Sequence, residues 1–186
     1  MEEKYNAFGE PISSQNSLKQ PDTLFQKIFN ILSILLLAFI LLYPAIKWNQ
    51  LPDRIISHWG FSGQADGWSG KSSVLFTPVI TLILYIPITI IIHCPSVWNM
   101  PGKITERNKR WAYRNIKNML VILKFLIMTN FAYLTWCSIQ QKNLGAFYMI
   151  LDLILIFGSM AFFIRRSTRC PAAEAEEGIP RDREPF

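Results

Sequence analysis

Groups that commonly do chemistry are scarce in this chain. Histidine occurs twice and cysteine three times among 186 residues. The cysteines, at 94, 137 and 170, make no CxxC or Cys/His ligand spacing, so neither a disulfide framework nor a metal–thiolate site is expected. No nucleophile elbow, phosphate loop, HExxH pair or paired catalytic carboxylates appear, which leaves catalysis without visible machinery. Charge is thin as well. Only 17% of residues are charged against 51% hydrophobic, a balance greasier than that of a typical soluble domain.

What is present is hydrocarbon, and it is concentrated. Four apolar blocks, about 24–48, 74–94, 116–137 and 145–164, each approach the ~20 residues that carry a helix across ~30 Å of membrane interior. A water-soluble bundle of buried helices is the alternative. Residues 31–43 (ILSILLLAFILLY) are apolar on every face apart from Ser33, whereas soluble helices keep a polar face. The expected fold is therefore an all-α integral membrane protein. Four transmembrane helices would carry a structured outer loop between the first and second. Residues 1–22 read as a flexible cytoplasmic leader, 23–166 as the membrane domain and 167–186 as a disordered tail. The first block is too long for a signal-peptide core and follows a polar leader, so it reads as an anchor.

The net charge of +6 is informative by position. Lys103, Arg107, Lys109, Arg110, Arg114 and Lys117 stand between the second and third blocks against the single acid Glu106, and Arg165, Arg166 and Arg169 follow the fourth. Short loops rich in Lys and Arg stay cytoplasmic. Both termini are thus expected inside, with residues 51–71 and the short connection 138–144 outside, in the inner (cytoplasmic) membrane. Topology accounts for the basic cluster, and nucleic acid is not expected as a partner.

Local signals refine these blocks. Asp22 or Thr23 can cap the first helix, and Tyr43 and Trp48 mark its outer end. Pro44 bends its last turn, and Pro78 and Pro87 kink the second helix. The stretch 104–117 (ITERNKRWAYRNIK) reads as a helical extension capped by Thr105, with Trp111 and Tyr113 at the lipid surface. Two ionisable residues fall inside spans, Lys124 and Asp152, and such residues usually face a partner. Their estimated depths differ by roughly 6 Å, and Asn130 comes near the depth of Asp152. These three are expected to form a polar cluster joining the last two helices, as a pairing clamp or, alternatively, as a proton or ion relay.

The most distinctive stretch is LPDRIISHWGFSGQADGWSGK, residues 51–71. Leu51, Pro52 and Asp53 make a tight exit from the first span. Ile55, Ile56, Trp59 and Phe61 are too apolar for a free linker, and Gly63 and Asp66-Gly67 signal turns. A short hairpin or turn structure held against the membrane surface is expected, closing at Lys71. His58 and Asp66, together with Asp53, are weak candidates for a metal; a hydrogen bond from His58 to Asp66 or to a carbonyl, locking the turn, is the simpler reading.

On these residues the chain resembles the membrane domain of unknown function 1648, shared with the amino-terminal part of SdpI-type immunity proteins. The likeness covers about residues 43–92 and continues more weakly through 104–124 and FAYLTW. The resemblance implies a membrane domain and a role in immunity or sensing, and it carries no catalytic residues. A non-enzymatic membrane protein whose outer loop recognises a peptide, toxin or partner membrane protein is the first expectation. A small transporter or transporter subunit is the alternative, and a metal-dependent membrane enzyme a weaker one. No cofactor is expected, and the bilayer is the expected surrounding.

Overall fold

A computed structural model of the chain describes residues 21–101 and 108–168. The leader before residue 21, Thr105 with its expected capping role, and the tail from residue 169 lie outside the described residues. Within them, four helices are long and apolar enough to cross a membrane. A two-stranded antiparallel sheet joins the first two, so the fold is not purely helical.

Helix α1 spans Leu24–Lys47 and opens with a reciprocal cap. The Thr23 hydroxyl accepts the Gln26 amide at 3.2 Å, and the Gln26 side-chain oxygen accepts the Thr23 amide at 3.1 Å. Asp22 is therefore not the cap; its carboxylate receives the Lys117 ammonium at 2.5 Å. A 3-10 turn, Trp48–Gln50, leads to strand β1 (Arg54–Trp59) and strand β2 (Ala65–Gly70). A second 3-10 turn, Lys71–Leu75, enters helix α2, Phe76–His93. Pro78 sits in the first turn of α2, where no intrahelical acceptor is lost, so Pro87 alone interrupts the α2 ladder.

Helix α3, Lys109–Ile139, starts earlier than the apolar block and is the hub, packing against α1, α2, β1 and α4. Helix α4, Tyr148–Thr168, begins three residues after the expected 145 and packs chiefly on α3. Tyr113, expected at a lipid surface, is instead buried against Trp98 and Ile116, because the chain after α2 folds back beneath α3. Trp111 is half-buried under the Arg166 guanidinium.

The interior is small and partly polar, while large apolar side chains face outward. Ser33, Thr81 and Thr135 are fully buried, and each hydroxyl donates to the carbonyl four residues earlier at 2.7 Å. Satisfied in this way, they act as small residues that let helices approach closely. Ile83 and Phe157 are more than 60% exposed, and Phe163 alone is buried in α4. That distribution inverts the pattern of a water-soluble core.

Candidate functional site: the hairpin and its seat

Strands β1 and β2 pair Arg54 with Gly70, Ile55 with Ser69 and Ile56 with Trp68, and then the register slips twice. Ser57 is extra on β1 between the Ile56–Trp68 and His58–Gly67 pairs; Asp66 is extra on β2 between His58–Gly67 and Trp59–Ala65. Each slip places two residues opposite one and re-aims side chains. Ahead of the slips, Ile55 and Ile56, consecutive in sequence and regularly paired, are both buried. Ile55 joins Leu51, Val74 and Ile139 in an apolar cluster flanked by Tyr43 and Trp48. Across the paired bulges, His58 Nδ1 lies 2.5 Å from Asp66 Oδ1.

The hairpin is fastened at its tip, its middle and its base. At the tip, the Gly63 amide donates to the Gly60 carbonyl at 2.8 Å, and Gly63 has φ +76°. A Cβ on Gly63 would stand 2.8 Å from the carbonyl oxygens of both Leu144 and Gly145, so only glycine fits this seat on the α3–α4 connection. The Ala65 amide donates to Asn143 Oδ1 at 2.9 Å, and Asn143 Nδ2 donates to Gln64 Oε1 at 2.8 Å. In the middle, the Ser138 hydroxyl donates to the Ile56 carbonyl at 2.6 Å and the Trp59 indole to the Lys142 carbonyl at 3.1 Å. At the base, the Lys71 amide donates to the Asp53 carbonyl at 2.9 Å, and the Lys71 ammonium lies 5.0 Å from the centre of the Trp48 ring.

Most of the motif residues thus have a structural task. Leu51 fills the apolar cluster, Asp53 and Lys71 close the base, Trp59 and Gly63 fix the seat, and His58 with Asp66 bridges the bulges; Pro52 is exposed beside them. Sequence reading did not single out Gln64, Ser138 or Asn143, although they complete the seat. Polar residues in a short connection carry no mark of what they will face. Among the described residues no group of three or more His, Cys, Asp or Glu side chains stands close enough to hold a metal. Phe61 (69% exposed), Trp68 (48%) and His58 (73% of its side chain) remain open on the fastened hairpin.

The intramembrane cluster expected from depth does not form. Among the described residues no hydrogen bond or ion pair joins Lys124, Asn130 and Asp152. Lys124 is 2% exposed, its ammonium lies 5.0 Å from the Tyr85 ring centre on α2, and Asp152 stays half-buried on α4. The physical reason is rotation. Asn115 faces α4, donating to the Phe163 carbonyl at 2.9 Å and the Ser167 hydroxyl at 2.7 Å. Lys124 lies nine residues further on, about 900° or two and a half turns, and so on the opposite face. Tyr133, about five full turns from Asn115, returns to the α4 face and packs on Tyr148 with ring centres 4.6 Å apart. Asn115 is therefore the α3–α4 clamp.

The opposite end of the bundle is charged. The Asp22–Lys117 pair is joined by Gln26, which is 2% exposed and donates to Asn118 Oδ1 at 2.7 Å. Gln26, Trp98, His93, Arg114, Lys117 and Asp22 border a cavity of about 270 Å³ there.

This architecture defines a helical protein of membrane-spanning proportions with a seated hairpin between its first two long helices. A likeness follows from the same region: residues 35–82 match the model of the domain of unknown function DUF1648. The match begins in α1, spans the whole hairpin and ends in α2. The chain is also 26% identical over 141 residues to an uncharacterized protein of Archaeoglobus fulgidus, covering 68% of this chain and 76% of that protein. No solved structure matches.

Proposed function

We propose that this is a non-enzymatic multi-pass protein of the cytoplasmic membrane, with both termini inside, whose outward hairpin recognises a peptide or a partner protein. One observation carries the reading. The hairpin is immobilised by contacts to α3 and the α3–α4 connection, yet it leaves Phe61 and Trp68 exposed. Aromatic side chains on a pre-organised support lose little entropy on binding, which is what recognition surfaces exploit. The basic residues from 109 to 117 and at 165 and 166 support the assigned orientation. An immunity or sensing role remains the specific form that the resemblance suggests.

Transport and metal-dependent catalysis draw less support. Among the described residues, no hydrogen bond or ion pair joins Lys124 to Asp152, and His58 with Asp66 has no third ligand nearby. The test is photo-crosslinking in intact cells with a photoreactive phenylalanine at position 61 or 68, and at 157 on α4 as a control. One discrete adduct common to 61 and 68, absent at 157 and lost with Trp68→Ala in the position-61 protein, supports recognition. Lipid adducts alone at all three positions would overturn it.

A further inference from the structure

Beneath the hairpin lies a second cavity, of about 430 Å³, distinct from the exposed aromatic face. Its roof is Ile56, Ser57 and Trp59 of β1 with Ser69 of β2. Its walls come from the start of α2, through Ser73, Phe76, Thr77 and Ile80, and from the end of α3, through Phe131, Leu134 and Ser138. The volume falls within the range of small-ligand pockets.

Three features specify an occupant. None of the lining residues is ionisable, whereas the cavity at the other end is bordered by Asp22, His93, Arg114 and Lys117. An ionic group entering beneath the hairpin would lose hydration and find no counter-charge, so the occupant is uncharged. Hydroxyls are abundant: Ser57 and Ser69 hydrogen-bond to each other at 2.8 Å, and the Ser73 hydroxyl is buried without a partner, able to gain one by turning about χ1. Hydroxyls donate and accept, which suits an ester or alcohol. Finally, the mouth opens sideways. Phe76 (69% exposed) and Ile80 (42%) lie on the apolar flank of α2, so the cavity is continuous with the surface that hydrocarbon would cover in a membrane.

We infer that this cavity binds an uncharged lipid, with its ester or hydroxyl end under the hairpin beside Ser57, Ser69 and Ser73 and its acyl chain descending between Phe76, Ile80 and Leu134. This rests on the membrane setting proposed above but not on recognition by Phe61 and Trp68.

The experiment uses the full-length protein in phosphatidylcholine vesicles containing a diacylglycerol with a photoreactive acyl chain, the labelled peptides being mapped by mass spectrometry. Adducts concentrated in residues 73–80 and 131–138 are expected, at least tenfold above those on α4. Excess unlabelled diacylglycerol should suppress them, and phosphatidylglycerol should not. Leu134→Trp, which fills the cavity, should cut this labelling about tenfold and leave α4 labelling unchanged. The milder double variant Ser57→Ala/Ser69→Ala should reduce competition by diacylglycerol several-fold without altering the helical circular-dichroism signal. Even labelling along all lipid-facing helices, preferential competition by phosphatidylglycerol, or displacement only by an uncharged apolar peptide would each overturn the proposal. Trp68→Ala separates the two readings: it should abolish the crosslink of the outward face and leave lipid labelling intact.

Discussion

The two ends of this helical bundle are closed by different chemistry. At the hairpin end, closure relies largely on backbone geometry: a glycine seat, bulged strands and hydrogen bonds that join the hairpin's backbone and Trp59 to the α3–α4 connection. At the other end it is side chain to side chain and partly ionic, through Asp22–Lys117, Gln26–Asn118 and Asn115. The difference teaches where sequence distinctiveness comes from. Backbone-level packing accepts one residue type per position and so leaves a recognisable motif. Side-chain bridges between helices accept several polar residues and leave little trace.

The comparison predicts unequal sensitivity at the two ends. Gly63→Val should be the most damaging single change, because it adds a left-handed-backbone penalty of about 1–3 kcal/mol to a collision with two carbonyl oxygens. Thermal unfolding in detergent should show it, and the loss of the Gly63–Leu144 seat should also release the Trp59 indole, shifting tryptophan emission. Wild-type stability in Gly63→Val would mean that the seat is dispensable. At the other end, Asn115→Leu should cost less, between about 0.6 and about 1.7 kcal/mol, the average and the maximum measured for hydrogen bonds between membrane helices. A cycle with Ser167→Ala reads the Asn115–Ser167 component directly, and zero coupling would refute the clamp.

Legibility followed the same division. Four long apolar helices and a structured loop, hairpin or turn, over 51–71 could be read in advance, since hydrocarbon length and turn chemistry are local properties. Bulges at Ser57 and Asp66 could not, because an extra residue within a strand pair carries no local turn signal. Tyr113 was misplaced for a similar reason: a tyrosine near a helix start reads as an interface anchor until Trp98 folds back to cover it. Lys124, Asn130 and Asp152 were matched by depth alone. Depth is one of two helical coordinates, and the neglected rotation put Lys124 towards Tyr85. Gln26 could have been found, since a glutamine three residues after Thr23 is a capping-box signal.

A smaller effect is expected at the motif's histidine. The His58–Asp66 pair is short but open to solvent, so its loss in His58→Ala should cost below about 1 kcal/mol and less in high salt. Urea or thermal midpoints at two salt concentrations measure this. Loss of the folded protein in His58→Ala would show that the pair is a structural keystone.

The smallest expected quantity is the most decisive for the bundle interior. If Lys124 and Asp152 cooperated as a relay or a clamp, Lys124→Met and Asp152→Asn would be strongly non-additive. The geometry instead gives each its own surroundings: Lys124 lies over Tyr85, while Asp152 sits on α4 near Tyr148. Contact residues typically couple by 0.5–3 kcal/mol, and independent sites add to within about 0.3–0.5 kcal/mol. The double-mutant cycle, read from unfolding midpoints in detergent, should therefore close near zero, whereas Lys124→Met paired with Tyr85→Leu should not. Coupling above about 1 kcal/mol between positions 124 and 152 would restore the depth-matched cluster and with it the case for transport. A closed cycle would leave Lys124 held over the Tyr85 ring, its side chain serving the packing of α2 on α3 rather than transport.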